Sequence, residues 1–450
     1  MRPLIRRLIC LAVGATLAFG VVGAGPANSD QVSGDLPVSG ERRVPGDQPL
    51  PGFTINNPPL TPATVNGVPT RVLQGVHEHA AYDIEVPPRW NGELVMWAHG
   101  FRGNGTVLTV DPPGFGLRQR LLDQGYAWAA SSYYANGYDV RAGVLSTKDL
   151  ALLFRRLVRP PRRTMIVGVS MGGHIVGRSI EQFPGLYAGA LPMCGVLGDD
   201  TLFDFFLDYN VVAQGIAGIR AFPPPADYLT NAVPRIQQAI GFDTLRPGGP
   251  DTTNDLGKQF RAIVINRSGG PRPGAEQAVA VWKDFLFGLG AQATGSDLAQ
   301  NPGLVATNVG RRYEPNFPVD VNGTVQRVPL ADPKARFTKR LIETPQIFGR
   351  PSVPVLSLHD LGDLFVPFSM EQIYRADVAR HGRAGLVVQR AIRAAQHCEF
   401  STVEAGQAWD DLTAWVRRGV KPAGDDVTRP GAAEFGCRFS DPAAFAAGVG

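Results

Sequence analysis

The residues best suited to chemistry in this chain centre on a serine. Gly168-Val169-Ser170-Met171-Gly172-Gly173 lies between a short apolar run and a run with helical spacing. A serine hydroxyl is a weak nucleophile unless it is held on a tight turn, exposed to a base and set beside backbone donors for the developing oxyanion. Gly168 and Gly172 let strand and helix approach closely enough for such a turn, with Ser170 at its tip. A serine so placed needs a histidine as base and a carboxylate to orient it. An apolar run ending at Leu358 continues into His359-Asp360-Leu361-Gly362-Asp363-Leu364-Phe365-Val366-Pro367. Asp363 is the candidate acid, because Gly362 supplies the turn and Val366-Pro367 closes the loop; Asp360 is the competitor. A serine on this kind of turn takes acid and base in the order Ser, acid, His. Only His381 and His397 of the seven histidines follow Asp363. His381 sits in a polar connection, whereas His397 lies past the next apolar run and just before a helix, which makes it the better base.

Other residues invite weaker readings. Trp97-Ala98-His99-Gly100-Phe101 ends a strand where a second oxyanion donor could come from, the backbone N–H of Phe101, while His99 reads equally as packing. His174, on the helix after the serine, reads as packing. His77 and His79 have a short zinc-like spacing with no third ligand, so a β-hairpin surface explains them better. The aromatic stretch from Phe203 to Tyr209 could line an acyl or aryl pocket or form a small core of its own, and Phe285, Leu286 and Phe287 read the same way.

These residues need a frame to bring them together. Short apolar runs at 93–99, 126–133, 164–168, 188–194, 353–358 and 385–391 alternate with helical patterns at 147–158, 171–182 and 402–417. This alternation predicts an α/β fold, a mostly parallel central sheet flanked by helices. The core is split in sequence: 63–197 and 351–425 carry the sheet, and 198–350, rich in Pro and aromatics, reads as a mainly helical lid or cap insertion. Residues 28–62 form an extended lead-in segment and 426–450 a C-terminal tail. An insertion between two such strands sits at the carboxyl edge of the sheet, where ligands bind.

Taken together, Gly168-Val169-Ser170-Met171-Gly172, His99-Gly100-Phe101, Gly362-Asp363-Leu364-Phe365-Val366-Pro367 and His397-Cys398 resemble the α/β-hydrolase superfamily. The resemblance covers roughly 65–197 and 351–420, the core but not the insertion. It implies Ser170 as nucleophile, His397 as base, Asp363 as orienting acid and an oxyanion hole from the backbone N–H groups of Met171 and Phe101. The stretch from His397 to Ser401 leading to Trp415-Val416 also resembles secreted bacterial esterases of the feruloyl-esterase and tannase-like group. One feature departs from tannases: residue 169 is Val rather than the Cys that there bridges to the Cys after the base. Cys398 is therefore expected to pair elsewhere or remain free, with Cys437 the favoured partner and Cys194 the alternative.

Composition narrows the setting. The chain has 450 residues, 44% hydrophobic and 19% charged, the balance of an ordinary globular protein. Residues 1–27 read as a signal peptide: Arg2, Arg6 and Arg7 precede an apolar run and small residues at Ala24 and Ala27. The general secretory route fits better than the twin-arginine one. Its removal takes the formal charge from +4 to 4 − 3 = +1, which offers no attraction for nucleic acid or an anionic membrane. It also leaves Cys194, Cys398 and Cys437, expected as one disulfide and one buried thiol. The expectation is a secreted carboxylic ester hydrolase with no cofactor, no metal, no nucleic-acid partner and no membrane anchor after cleavage, acting on a small or polymeric ester. A peptidase, with Asp199, Asp200, Asp204 and Asp208 gripping a free amino terminus, a secreted acyltransferase and a non-catalytic binding protein are the alternatives. Epoxide-hydrolase chemistry is disfavoured, since it needs an aspartate at position 170.

Overall fold

The computed structural model describes residues 46–290 and 305–445. The expected signal peptide, the lead-in before residue 46 and the last residues of the tail lie outside the described residues.

Eight strands form one sheet: β1 Arg71–His77, β2 Ala80–Val86, β3 Glu93–Ala98, β4 Ala127–Ser131, β5 Arg163–Val169, β6 Gly189–Met193, β7 Val355–Asp360 and β8 Val387–Ile392. Their spatial order is β1-β2-β4-β3-β5-β6-β7-β8. β2 is antiparallel to both neighbours, and every pairing from β4 to β8 is parallel. Parallel strands are covered on both faces, so they read as continuous apolar runs whose alternate residues enter different cores. In β3, Leu94, Met96 and Ala98 enter one core and Val95 and Trp97 the other; in β5, Ile166 opposes Met165 and Val167.

Helices α1 Leu117–Asp123, α2 Val140–Leu157 and α3 Met171–Gln182 follow β3, β4 and β5 in the chain. α1 shares its core with the C-terminal helix of the sheet domain, Thr402–Arg418, while α2 and α3 cover the opposite face. That last helix begins with a capping box, Ser401 and Glu404 each bonding the other's backbone N–H, which fixes where the chain turns after His397.

Between β6 and β7 the chain leaves the sheet and builds a mainly helical insertion: α4 Thr201–Ala217, α5 Val233–Ile240, α6 Asp255–Arg267 and α7 Ala275–Gly290. α4 is buried on nearly every side, as befits a helix at the centre of a packed unit. Its core includes Tyr209 against Phe260 and Phe287. The acidic residues of α4 are internal. Asp204 accepts from Arg336, Arg311 and the backbone of Thr307, and Asp208 from Arg267 and the hydroxyl of Tyr313. These pairs tie segment 305–336 to the insertion's central helix.

Among the described residues no helix is long and apolar enough to cross a membrane.

Candidate active site

β5 ends at Val169, and α3 begins at Met171, so Ser170 alone makes the turn. Its φ of 57° and ψ of −122° are a conformation that L-residues avoid at a cost of about 1–3 kcal/mol, and it throws the side chain out at the end of the sheet. The turn closes only because of glycine on three sides. A Cβ on Gly168 would stand 2.4 Å from the carbonyl oxygen of Gly172, one on Gly172 2.1 Å from that of Ala98, and one on Gly173 2.3 Å from the Cα of Gly195. Gly168 and Gly172 have the tight-turn role that the sequence predicts. The crossing of Gly173 and Gly195 is a further requirement that sequence reasoning missed.

Asp363 and His397 come to the serine from two different loops. His397 Nδ1–H donates to Asp363 Oδ2 at 2.5 Å, and Ser170 Oγ–H donates to His397 Nε2 at 2.8 Å. Asp363 is fully buried, and its Oδ1 accepts the backbone N–H groups of Phe365 and Val366, each at 2.9 Å. Every acceptor site of the carboxylate that matters for orientation is thus in use. Asp360, the competitor, ends β7 and accepts instead from the backbone N–H of Glu399, anchoring the loop that carries His397. Burial and the nearby charge of Asp363 raise its carboxyl well above the usual range. His381 caps the helix Ser369–Arg380, its ring against the carbonyl of Asp377, and takes no part in this cluster.

Both residues expected to supply oxyanion donors lie next to Ser170, one in the chain and one in space. The N–H of Met171 belongs to the first turn of α3, where backbone donors have no partner within the helix. Gly100 lies against the serine so closely that a Cβ there would stand 3.0 Å from Ser170 Cβ, which brings the chain entering Phe101 to the same place. His99 is a fixing residue: its ring stacks on Tyr133 at 3.9 Å, and Nδ1 lies 2.7 Å from the Gly100 carbonyl. Burial, with the charge of Arg102 added, pushes its pKa down to about 3, so the ring stays neutral. His174 is buried between the Tyr138 hydroxyl and the Pro345 carbonyl, as its packing role predicts. His77 ends β1 and His79 lies in the turn of the β1–β2 hairpin.

The cysteine pairing corrects the sequence-based expectation. Cys398 bonds to Cys194, not to Cys437, and Cys437 is exposed rather than a buried thiol. Cys194 follows β6 directly, and the carbonyl of Met193 before it accepts the N–H of Ser170. The bridge therefore ties the base loop to the strand beside the serine turn, and its sulfur packs 3.4 Å from His397 Nε2. Cys194, His397 and Cys398 lie close enough together to suggest metal ligands, but sulfurs bonded to each other are not thiolates.

Aromatic residues border the cluster. Phe365 meets the His397 ring edge-on at 5.0 Å and is in turn flanked by Phe206 at 5.9 Å and Phe285 at 4.8 Å, both from the insertion. The stretch from Phe203 thus serves two ends: Tyr209 joins the insertion's core, and Phe206 reaches toward the site. Phe287 is core and Phe285 is at the border.

No protein-family model matches the chain, and no curated protein matches it in sequence. Among solved structures it is similar to an esterase from Aspergillus oryzae, at 13% identity over 80% of this chain and 82% of that one, with a TM-score of 0.47. Feruloyl esterase B from Aspergillus oryzae is similar at 14% identity, over 76% and 79% of the two chains, with a TM-score of 0.44. The rice cell wall degrading esterase LipA from Xanthomonas oryzae is similar at 15% identity, over 79% and 86%, with a TM-score of 0.35. At these scores the likenesses carry no argument about activity. The strand order, the antiparallel second strand, the serine turn after the fifth strand, the acid after the seventh and the histidine after the eighth are those of the α/β-hydrolase fold, which this chain has.

Proposed function

We propose that the chain is a secreted serine hydrolase that cleaves carboxylic esters through an acyl-enzyme on Ser170. The observation that carries this reading is the unbroken hydrogen-bonded line from Ser170 through His397 to Asp363. His397 Nε2 takes the hydroxyl proton as Oγ attacks the ester carbonyl carbon, and the new oxyanion faces the N–H groups of Met171 and Phe101. The intermediate collapses, the C–O bond to the alcohol breaks, and the imidazolium returns its proton to the leaving oxygen. Water, deprotonated by the same nitrogen, then adds to the acyl-enzyme; the C–O bond to Ser170 breaks as the imidazolium returns the proton to Oγ, and the acid is freed. Asp363 holds the imidazole in the tautomer that this sequence requires.

The ester reading is favoured over the aminopeptidase by the fate of the four aspartates. An amino terminus needs a free carboxylate, but Asp199 accepts from the backbone N–H of Ile347, Asp200 and Asp204 face Arg336, and Asp208 faces Arg267. The insertion is proposed as a lid, with Phe206, Phe285 and Phe365 offering an apolar flank to the substrate beside His397. Secretion rests on the pattern of residues 1–27, and a disulfide suits an oxidising compartment.

The test is hydrolysis of a panel of p-nitrophenyl esters and aminoacyl anilides by the mature protein and by Ser170→Ala. Ester turnover that falls by about 10⁴-fold or more in the variant is the expected result. Anilide cleavage exceeding ester cleavage would overturn the ester reading, and undiminished turnover by the variant would overturn the role of Ser170.

A further inference from the structure

Acid and base stand on separate loops, and the separation of those loops sets the geometry of the Asp363–His397 bond. The two loops cross in backbone contact. Gly362 N–H donates to the Ala394 carbonyl at 2.8 Å, and a Cβ on Gly362 would stand 2.7 Å from Ala395 Cα. Gly362 precedes the acid by one residue, and Ala395 precedes the base by two. Over this crossing lies one side chain of the insertion, Trp282 of α7. Its indole N–H is shared between the Gly362 carbonyl and the Ala395 carbonyl, 2.9 Å from each. The insertion also holds the preceding carbonyl: Arg272 Nε donates to Leu361 at 2.7 Å. Both side chains are buried, as are Leu361 and Gly362, so those two carbonyls depend on these donors, while Ala395 is half-buried.

We propose that Trp282 is a positioning residue, whose indole N–H fixes the acid loop against the base loop, so that the insertion completes the Ser170–His397–Asp363 geometry as well as covering it. The inference rests on the triad reading above. It has a physical consequence: at this edge the insertion cannot lift from the sheet domain without stripping Gly362 and Ala395 of a donor at the same moment. Any motion that admits substrate must therefore hinge elsewhere, and loss of the Trp282 N–H is felt in the chemical step rather than in substrate binding. Small displacements suffice, because a misplacement of about 1 Å can cost about 100-fold in rate.

The experiment compares the full-length mature protein with Trp282→Phe, which keeps an aromatic ring and removes the N–H. A second protein carries benzothienylalanine at position 282, the same bicyclic shape with sulfur in place of N–H, in case the smaller ring disturbs folding. The expected result for both is a kcat on a p-nitrophenyl ester lowered about 10- to 100-fold with KM within about threefold of wild type. The low-field proton resonance of the His397–Asp363 hydrogen bond should shift or broaden in parallel. Wild-type kcat in the benzothienylalanine protein, or a loss confined to KM, would overturn the proposal. A wild-type protein with neither ester turnover nor fluorophosphonate labelling would instead overturn the triad reading itself, so the two failures are distinguishable.

Discussion

Beneath the acid loop lies a second histidine–carboxylate pair. His359 and Glu371 are both buried, with His359 Nδ1 3.4 Å from Glu371 Oε1 and Nε2 2.7 Å from the carbonyl of Val366, the residue whose N–H holds Asp363. Glu371 also accepts from Ser357 and Gln389. Burial works against a charge on His359, but the facing carboxylate of Glu371, the charge of Asp363 and the Val366 carbonyl outweigh it and hold the imidazole above its ordinary 6.5. A histidine whose folded-state pKa is raised contributes stability that is whole below the unfolded value and is lost as pH rises through the folded one. The unfolding free energy lost in His359→Gln, measured by urea titration, is therefore expected to be larger near pH 6 than near pH 9. A loss that is constant or grows across that range would contradict a charged His359. Nothing in one sequence revealed this pair. His359 and Glu371 stand twelve residues apart, and their contact is made by the helix Ser369–Arg380 folding back under β7.

At the scale of elements, the serine turn was legible to the residue because its constraints are local. Gly168, Gly172, the apolar run before and the helical run after all lie within one strand–turn–helix unit. The helix Met171–Gln182 and the helix from Thr402 have the starts that their spacing predicts. The sequence shows β1 and β2 only as a hairpin around His77 and His79 and not as strands of the main sheet, because inward positions carry polar groups that break the apolar pattern. Buried Glu85 accepts from Arg118, Thr70 and the Trp128 indole, a set that only the folded chain assembles. The crossing of α3 with the residue after Cys194 yields a direct test. Gly173→Ala sets a methyl 2.3 Å from backbone at Gly195, whereas Gly177→Ala meets the movable end of Ile347 at 2.7 Å. Gly173→Ala is expected to cost about 2 kcal/mol or more in unfolding free energy, the Gly177 variant less. Equal losses in thermal and urea unfolding would contradict the account of the turn.

At the scale of the whole molecule, the site depends on links between segments remote in sequence. Cys194 and Cys398 are separated by 204 positions, and their pairing follows from β6 and the base loop arriving together, which no spacing of cysteines could show. The expected partner, Cys437, is exposed in the tail. The bridge closes a long loop, so the double variant Cys194→Ser, Cys398→Ser is expected to lose roughly 2–5 kcal/mol of stability. It should also lose ester turnover disproportionately to the small fraction unfolded at assay temperature. An unchanged melting temperature would contradict this. The insertion, likewise, was legible as helical and aromatic, while its buried Asp–Arg pairs and the reach of Trp282 to both loops were not, since each joins residues about 60 to 130 positions apart or more. All of these links converge on one claim, that Ser170 is the nucleophile. The most direct measurement is the mass of the mature protein after reaction with a fluorophosphonate, followed by mapping of the adduct, in wild type and in His397→Ala. A single adduct on Ser170 is expected in the wild type, formed at least about 100-fold more slowly in the histidine variant. An adduct on another residue, or equal rates in the two proteins, would contradict it.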